Sequence, residues 1–156
     1  MKTLMLSSFA FLALALIANA ERVVKISDGD TITVIDENNV QTRVRLWGID
    51  APEKKQPFGE ASRRHLAEKI AGENVRLESR GRDRYGRLLA VVWLGNENQN
   101  LRQVRDGYAW HYVQYAKKAT DYAAAEKQAR EKRLGLWQED DPTPPWTFRR
   151  RPTKKR

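Results

Sequence analysis

The sequence predicts a mainly β fold of the α+β class, a small barrel of five strands with helices attached, and three observations predict it. Short β-prone runs broken by turn residues dominate Arg22 to Leu94, and helical periodicity takes over from Asn100 to Gly135. The chain also has no cysteine, which excludes a disulfide framework, a thiolate metal site and a cysteine nucleophile, so a packed core must hold it together.

The expected strands are Arg22 to Ser27, Thr31 to Ile35, Val40 to Gly48, Asn74 to Arg80 and Leu88 to Leu94, separated by Asp-Gly-Asp, Asp-Glu-Asn-Asn and Asp-Arg-Tyr-Gly-Arg turns. A helix from Gly59 to Ala71 interrupts the barrel between the third and fourth strands. Its Ala61, Leu66, Ala67 and Ile70 share one face, and Gly72 stops it. A second helix near Leu101 to Asp106 ends at Gly107, and a third from Thr120 to about Arg133 takes Thr120 as its cap and ends at Gly135. Trp93, inside an apolar strand, and Leu136 and Trp137, which fold back after the last helix, are expected in the core.

The flanks read differently. Residues 1 to 20 have the form of an export signal: Lys2, an apolar stretch from Leu4 to Ile17, and a small-residue cleavage site at Ala18-Asn19-Ala20. A mature chain starting near Glu21 would be periplasmic or secreted. The apolar run is shorter than the roughly 20 residues of a spanning helix, so stable membrane association is not expected. Residues 21 to 141 then form one domain. Of the formal charge of +9, the segment from 142 to 156 holds six Lys and Arg and no acid, while residues 21 to 141 carry only +2. With prolines at 142, 144 and 145, this segment reads as a disordered basic tail. Trp146 and Phe148 beside its charges suit a polyanion.

Three constellations carry chemistry. Asp28-Gly29-Asp30-Thr31 places carboxylates in a tight turn between two strands, a pattern that a simple hairpin also produces. Arg45-Leu46-Trp47-Gly48-Ile49-Asp50-Ala51-Pro52-Glu53 ends an apolar strand with two acids three residues apart, and alternation sends Arg43 and Arg45 to the same side; a structural ion pair is the competing reading. Asp83-Arg84-Tyr85-Gly86-Arg87 is a turn rich in phosphate-binding groups. Together they supply carboxylates for a hard cation, a spare carboxylate for proton transfer and guanidiniums for phosphate oxygens.

The order of these blocks resembles the staphylococcal nuclease family over about Val23 to Trp137. The resemblance extends to Phe58-Gly59-Glu60-Ala61, Val104-Arg105-Asp106-Gly107-Tyr108-Ala109 and Gly135-Leu136-Trp137. It implies a five-stranded OB-fold barrel with three helices, and a calcium-dependent, monomeric nuclease that cleaves DNA and RNA to leave 3′-phosphate ends. By the same resemblance Asp30, Asp50 and the Ala51 main-chain carbonyl bind one calcium ion, with Asp28 behind them. Arg45 and Arg87 grip the scissile phosphate, Glu53 orients or deprotonates the attacking water, and Arg84, Tyr85 and Tyr115 contact substrate. The sequence departs from the best-known member at Ala51, where that member has threonine, and in a shorter loop from Lys54 to Phe58. Tyr112 is offset from an aromatic substrate-contacting position that Tyr115 matches.

The alternative is a non-catalytic OB-fold module that binds nucleic acid by stacking and charge. The acids Asp30, Asp50 and Glu53 argue against it, because carboxylates facing a phosphate repel it unless a metal reverses the field. His65 and His111 lack the spacing of a zinc site and read as surface or packing residues.

Overall fold

The computed structural model describes residues 20–150. The export signal expected over residues 1–20 therefore lies outside the described residues, apart from Ala20. Strands β1 (Glu21–Asp28), β2 (Thr31–Ile35) and β3 (Gln41–Leu46) form an antiparallel meander. After β4 (Ile49–Asp50) and helix α1 (Gly59–Ile70), strand β5 (Asn74–Arg82) pairs with β1, and β6 (Leu88–Leu94) pairs with β5. A parallel pairing of β3 with β6 closes the barrel, so the five expected strands form it. This circuit is that of the OB fold.

Strand β7 (Glu97–Asn98) and helix α2 (Gln99–Arg105) follow, then β8 (Trp110–His111), α3 (Val113–Ala116) and α4 (Thr120–Glu131). A 3-10 turn at Gly135–Gln138 and helix α5 (Pro145–Phe148) end the described chain. None of these helices is long and apolar enough to cross a membrane.

The barrel is filled by the inward faces of its strands, with Ile32, Val34, Val44, Val75, Ala90 and Val92 fully buried, and α1 covers one end with Leu66 and Ile70. Each such large apolar side chain contributes about 1.5–3 kcal/mol by leaving water. A smaller core under the C-terminal region joins Trp110, Ala129, Leu136 and Trp137, with Phe58 and Trp146 against it. The two sequence blocks around Gly107 and Gly135 meet here: the Leu136 N–H donates to the Gly107 carbonyl at 2.8 Å. Both glycines have positive φ, and a Cβ on either would collide with the other segment's backbone.

Four sequence expectations are corrected. The third strand stops at Leu46, not Gly48, because Gly48 adopts φ +79° and turns the chain, leaving Ile49–Asp50 to pair separately with Trp110–His111. Helix α4 begins behind Ala119, with no side-chain cap from Thr120. Trp137 is buried as expected, but Trp93 is only half-buried, with the Arg76 guanidinium 5.1 Å above its ring. Residues 142–150, assigned to a disordered tail, lie against the domain, because Trp146 packs its ring against Trp110 and Tyr112 at centroid distances of 6.4 and 5.6 Å.

Candidate active site

The first carboxylates come from the β1–β2 turn. Gly29 is required there by close approach: a Cβ would run into Ser62 Oγ and lie 2.9 Å from Ala51 Cβ. The Gly29 carbonyl accepts from Gln103 Nε2 at 2.8 Å, which ties the turn to α2. Asp30 is buried, and its Oδ2 accepts the Ala51 N–H at 2.6 Å while Oδ1 accepts from Thr31 Oγ1 at 3.0 Å. The turn is thereby clamped to the segment carrying Asp50.

That segment leaves the barrel at Leu46, whose N–H donates to the Asp30 carbonyl at 2.8 Å. Arg45 then reaches both acids: its guanidinium pairs with Asp30 Oδ2 and donates to Asp50 Oδ1 at 2.8 Å. Asp50 has 0% of its surface exposed. Glu53 follows one turn later, half exposed, its N–H donating to Gln56 Oε1 at 3.1 Å and its carbonyl accepting the Gln56 N–H at 2.8 Å.

The third wall is the β5–β6 turn. Asp83 Oδ1 accepts the Tyr85 and Arg87 N–H groups at 2.9 and 3.0 Å, and Oδ2 accepts Arg87 Nε at 2.7 Å. The guanidiniums of Arg84 and Arg87 lie 4.9 and 5.5 Å from the centroid of the exposed Tyr85 ring. Across from them Tyr112 and Tyr115 pack with ring centroids 5.0 Å apart, so the offset Tyr112 faces the same space as Tyr115. All nine positions singled out in the sequence, Asp30, Arg45, Asp50, Ala51, Glu53, Arg84, Tyr85, Arg87 and Tyr115, line one cleft of about 730 Å³.

The electrostatics are those of crowded acids. Burial, then the neighbouring Asp30 charge, pushes the Asp28 carboxyl up to about 7. Burial alone would raise Asp30 too, but the Arg45 charge and the hydrogen bonds from Asp28, Ala51 and Thr31 hold it below the usual range. Asp50 is raised by burial, with partial offset from the hydrogen bond that Arg149 donates.

Arg149 is the residue that sequence reasoning missed. Its Nη1 and Nη2 donate to Asp50 Oδ1 and Oδ2 at 3.1 and 2.7 Å, and Nη1 also donates to Glu53 Oε1 at 2.7 Å. The aromatic pair Trp146 and Phe148 just before the basic run was the available signal that this segment docks. Neither histidine enters the cleft. His65 stacks on Tyr108 and bonds Gln103 and Asp106, and His111 bonds the Ala116 carbonyl at 2.9 Å.

Among the described residues no three Asp, Glu, His or Cys side chains converge as a ready-made metal cluster. The donor chemistry nevertheless fits a hard divalent cation. Asp30 and Asp50 are buried carboxylates held on one guanidinium, and Ala51 beside them carries a main-chain oxygen, a hard-oxygen donor set of the kind such an ion takes.

Residues 43–139 match the staphylococcal nuclease homologue family. The chain belongs to that family. It is 46% identical over 132 residues to an uncharacterized endonuclease of Haemophilus influenzae, covering 85% of this chain and 74% of that one. It is 41% identical over 138 residues to the micrococcal nuclease of Shigella flexneri, covering 82% and 79%. A third relative, protein ParB of Escherichia coli, is 39% identical over 168 residues, covering 97% and 94%. The nuclease-family match begins at Arg43 and so takes in Arg45, Asp50, Glu53 and Arg87, and it stops ten residues before Arg149.

Proposed function

We propose that this member of the staphylococcal nuclease family is an exported, calcium-dependent phosphodiesterase that hydrolyses DNA and RNA to 3′-phosphate products. The observation that carries the reading is the convergence of two guanidiniums, Arg45 and Arg87, and the Glu53 carboxylate on the cleft that holds Asp30 and Asp50. The nuclease names of the Haemophilus and Shigella relatives support it.

Asp30, Asp50 and the Ala51 carbonyl would hold the cation, which supplies Lewis-acid stabilisation of phosphate charge when bound. Arg45, anchored by the two aspartates, and Arg87, anchored by Asp83, present donors to the non-bridging phosphate oxygens, whose negative charge grows in the pentacoordinate transition state. Glu53 takes a proton from the water that attacks phosphorus on the side opposite the departing oxygen. The P–O5′ bond breaks, Arg87 stabilises the charge on the departing O5′, which takes up a proton from solvent to leave as a hydroxyl, and the phosphate stays on the 3′ side. Arg84, Tyr85 and Tyr115 give the neighbouring nucleotides charge and an exposed ring surface to stack on.

The deciding experiment is digestion of single-stranded DNA, duplex DNA and RNA with calcium, with magnesium and with chelator, alongside the Glu53→Gln variant. Calcium-dependent cleavage that drops by orders of magnitude in the variant is the expected result. Retention of DNA without cleavage in any cation would instead establish a non-catalytic binding module.

A further inference from the structure

Residues 140–150, beyond the family match, do not run off the domain. Pro144 and Pro145 start α5, where fixed φ suits the first helical turn, and the N–H groups of Phe148 and Arg149 close onto the carbonyls of Pro144 and Pro145 at 3.0 and 2.9 Å. Trp146 seats this turn on Trp110 and Tyr112, and the Gln56 side chain donates to the Thr143 carbonyl from the loop that follows Glu53. Arg149 is thereby delivered to the carboxylates.

What Arg149 does there is specific. It donates to both oxygens of Asp50, and to Glu53 as well. A cation held by Asp50 needs those same oxygens. A divalent ion on those oxygens and the guanidinium already there carry like charge at contact range, so the two exclude one another. Of the two arginines on Asp50, Arg45 has 14% of its side chain exposed and Arg149 43%, which decides which one yields. The helix that Arg149 caps at its C-terminus is only four residues long, and so short an element opens at low cost.

We propose that Arg149 is a built-in surrogate cation: it positions Asp50 and Glu53 in the metal-free protein, and a divalent ion entering the cleft displaces it and undocks α5. The inference rests on Asp30 and Asp50 being cation ligands. Cation binding is then coupled to the position of the basic segment that begins at Arg149, and Glu53 is released from its ion pair only when the ion arrives.

The test uses hydrogen exchange of the 144–156 peptide, with calcium and with chelator, together with calorimetric calcium titration of the wild type, Arg149→Ala, Arg149→Lys and Arg64→Ala. Arg64 is an exposed residue of α1, and its removal makes the same change in net charge as Arg149→Ala. Calcium is expected to abolish protection of the Phe148 to Arg150 amides in the wild type. Arg149→Ala should bind calcium about tenfold more tightly, with those amides unprotected even in chelator. Arg149→Lys, which cannot span both Asp50 oxygens, should fall between, and Arg64→Ala should match the wild type. Calcium binding that leaves the peptide protected, or that tightens equally in Arg149→Ala and Arg64→Ala, overturns the proposal and leaves the nuclease reading standing. Failure of every protein to bind calcium overturns both.

Discussion

Arg87 donates from Nε to Asp83 Oδ2 at 2.7 Å and from its main-chain N–H to Oδ1 of the same carboxylate at 3.0 Å. The turn that presents this guanidinium is therefore fixed by an acid that need not touch substrate. Asp83→Ala removes both anchors and lets the side chain swing. A misplacement of about 1 Å at a reacting phosphate costs on the order of 10²-fold in rate. Turnover should drop by roughly that factor with circular dichroism unchanged, and near-normal turnover would show that Arg87 finds its place without Asp83.

A second positioning device lies behind Glu53. The Gly59 N–H donates to the Gln56 carbonyl at 2.9 Å, and a Cβ on Gly59 would collide with the Glu53 carbonyl. Gly59→Ala forces the Glu53 backbone to move, so stability should fall by about 1–3 kcal/mol in denaturant titration, and turnover should fall with it. Gly72→Ala is the control. Its φ of +79° is strained for alanine, but nothing lies within 4 Å, so it should cost stability alone.

These anchors also explain what could be read from the sequence. Asp30 and Arg87 sit in turns whose geometry is set within a few residues, and strand alternation fixes the side of Arg45, so their motifs were visible in the sequence, while the roles of these residues and of Asp50 came from the family resemblance. Arg149 meets Asp50 across 99 positions of chain, through docking of Trp146 on Trp110 and Tyr112; the aromatic residues signal that the segment docks, but no local pattern encodes where. The Thr120 cap failed for a smaller reason. The Ala123 N–H already closes on the Ala119 carbonyl at 3.2 Å, which puts Thr120 inside the helix.

Tyr122 lies beneath Gly48, its hydroxyl accepting from Asn98 Nδ2 at 3.1 Å, and burial pushes its phenol up to about 12. The unfolded phenol titrates near 10. The native state therefore holds the proton more tightly: the stabilisation is fully present below pH about 10 and is lost as pH rises through about 12, by up to about 1.4 kcal/mol per unit. Tyr122→Phe should be about 1 kcal/mol less stable at neutral pH, from the lost hydrogen bond, and its stability should fall less steeply over that window. Equal slopes in wild type and variant would place the alkaline titration elsewhere.

Arg45 offers a way to separate structural from cation-binding roles of the acids. Its guanidinium is the shared partner of Asp30 and Asp50, both buried, so Arg45→Met strands the Asp30 charge and leaves Asp50 with Arg149 as its guanidinium partner. Loss of one partner of a buried pair costs about 3–5 kcal/mol. In chelator the melting temperature should fall accordingly. A divalent ion that binds the native carboxylates stabilises the folded state by mass action and relieves their mutual repulsion, so calcium should recover a larger share of stability in Arg45→Met than it adds to the wild type. Turnover should stay low in both media, because the phosphate has lost a guanidinium that the ion does not replace. Equal destabilisation with and without calcium would mean that Asp30 and Asp50 serve their guanidinium partners and hold no cation.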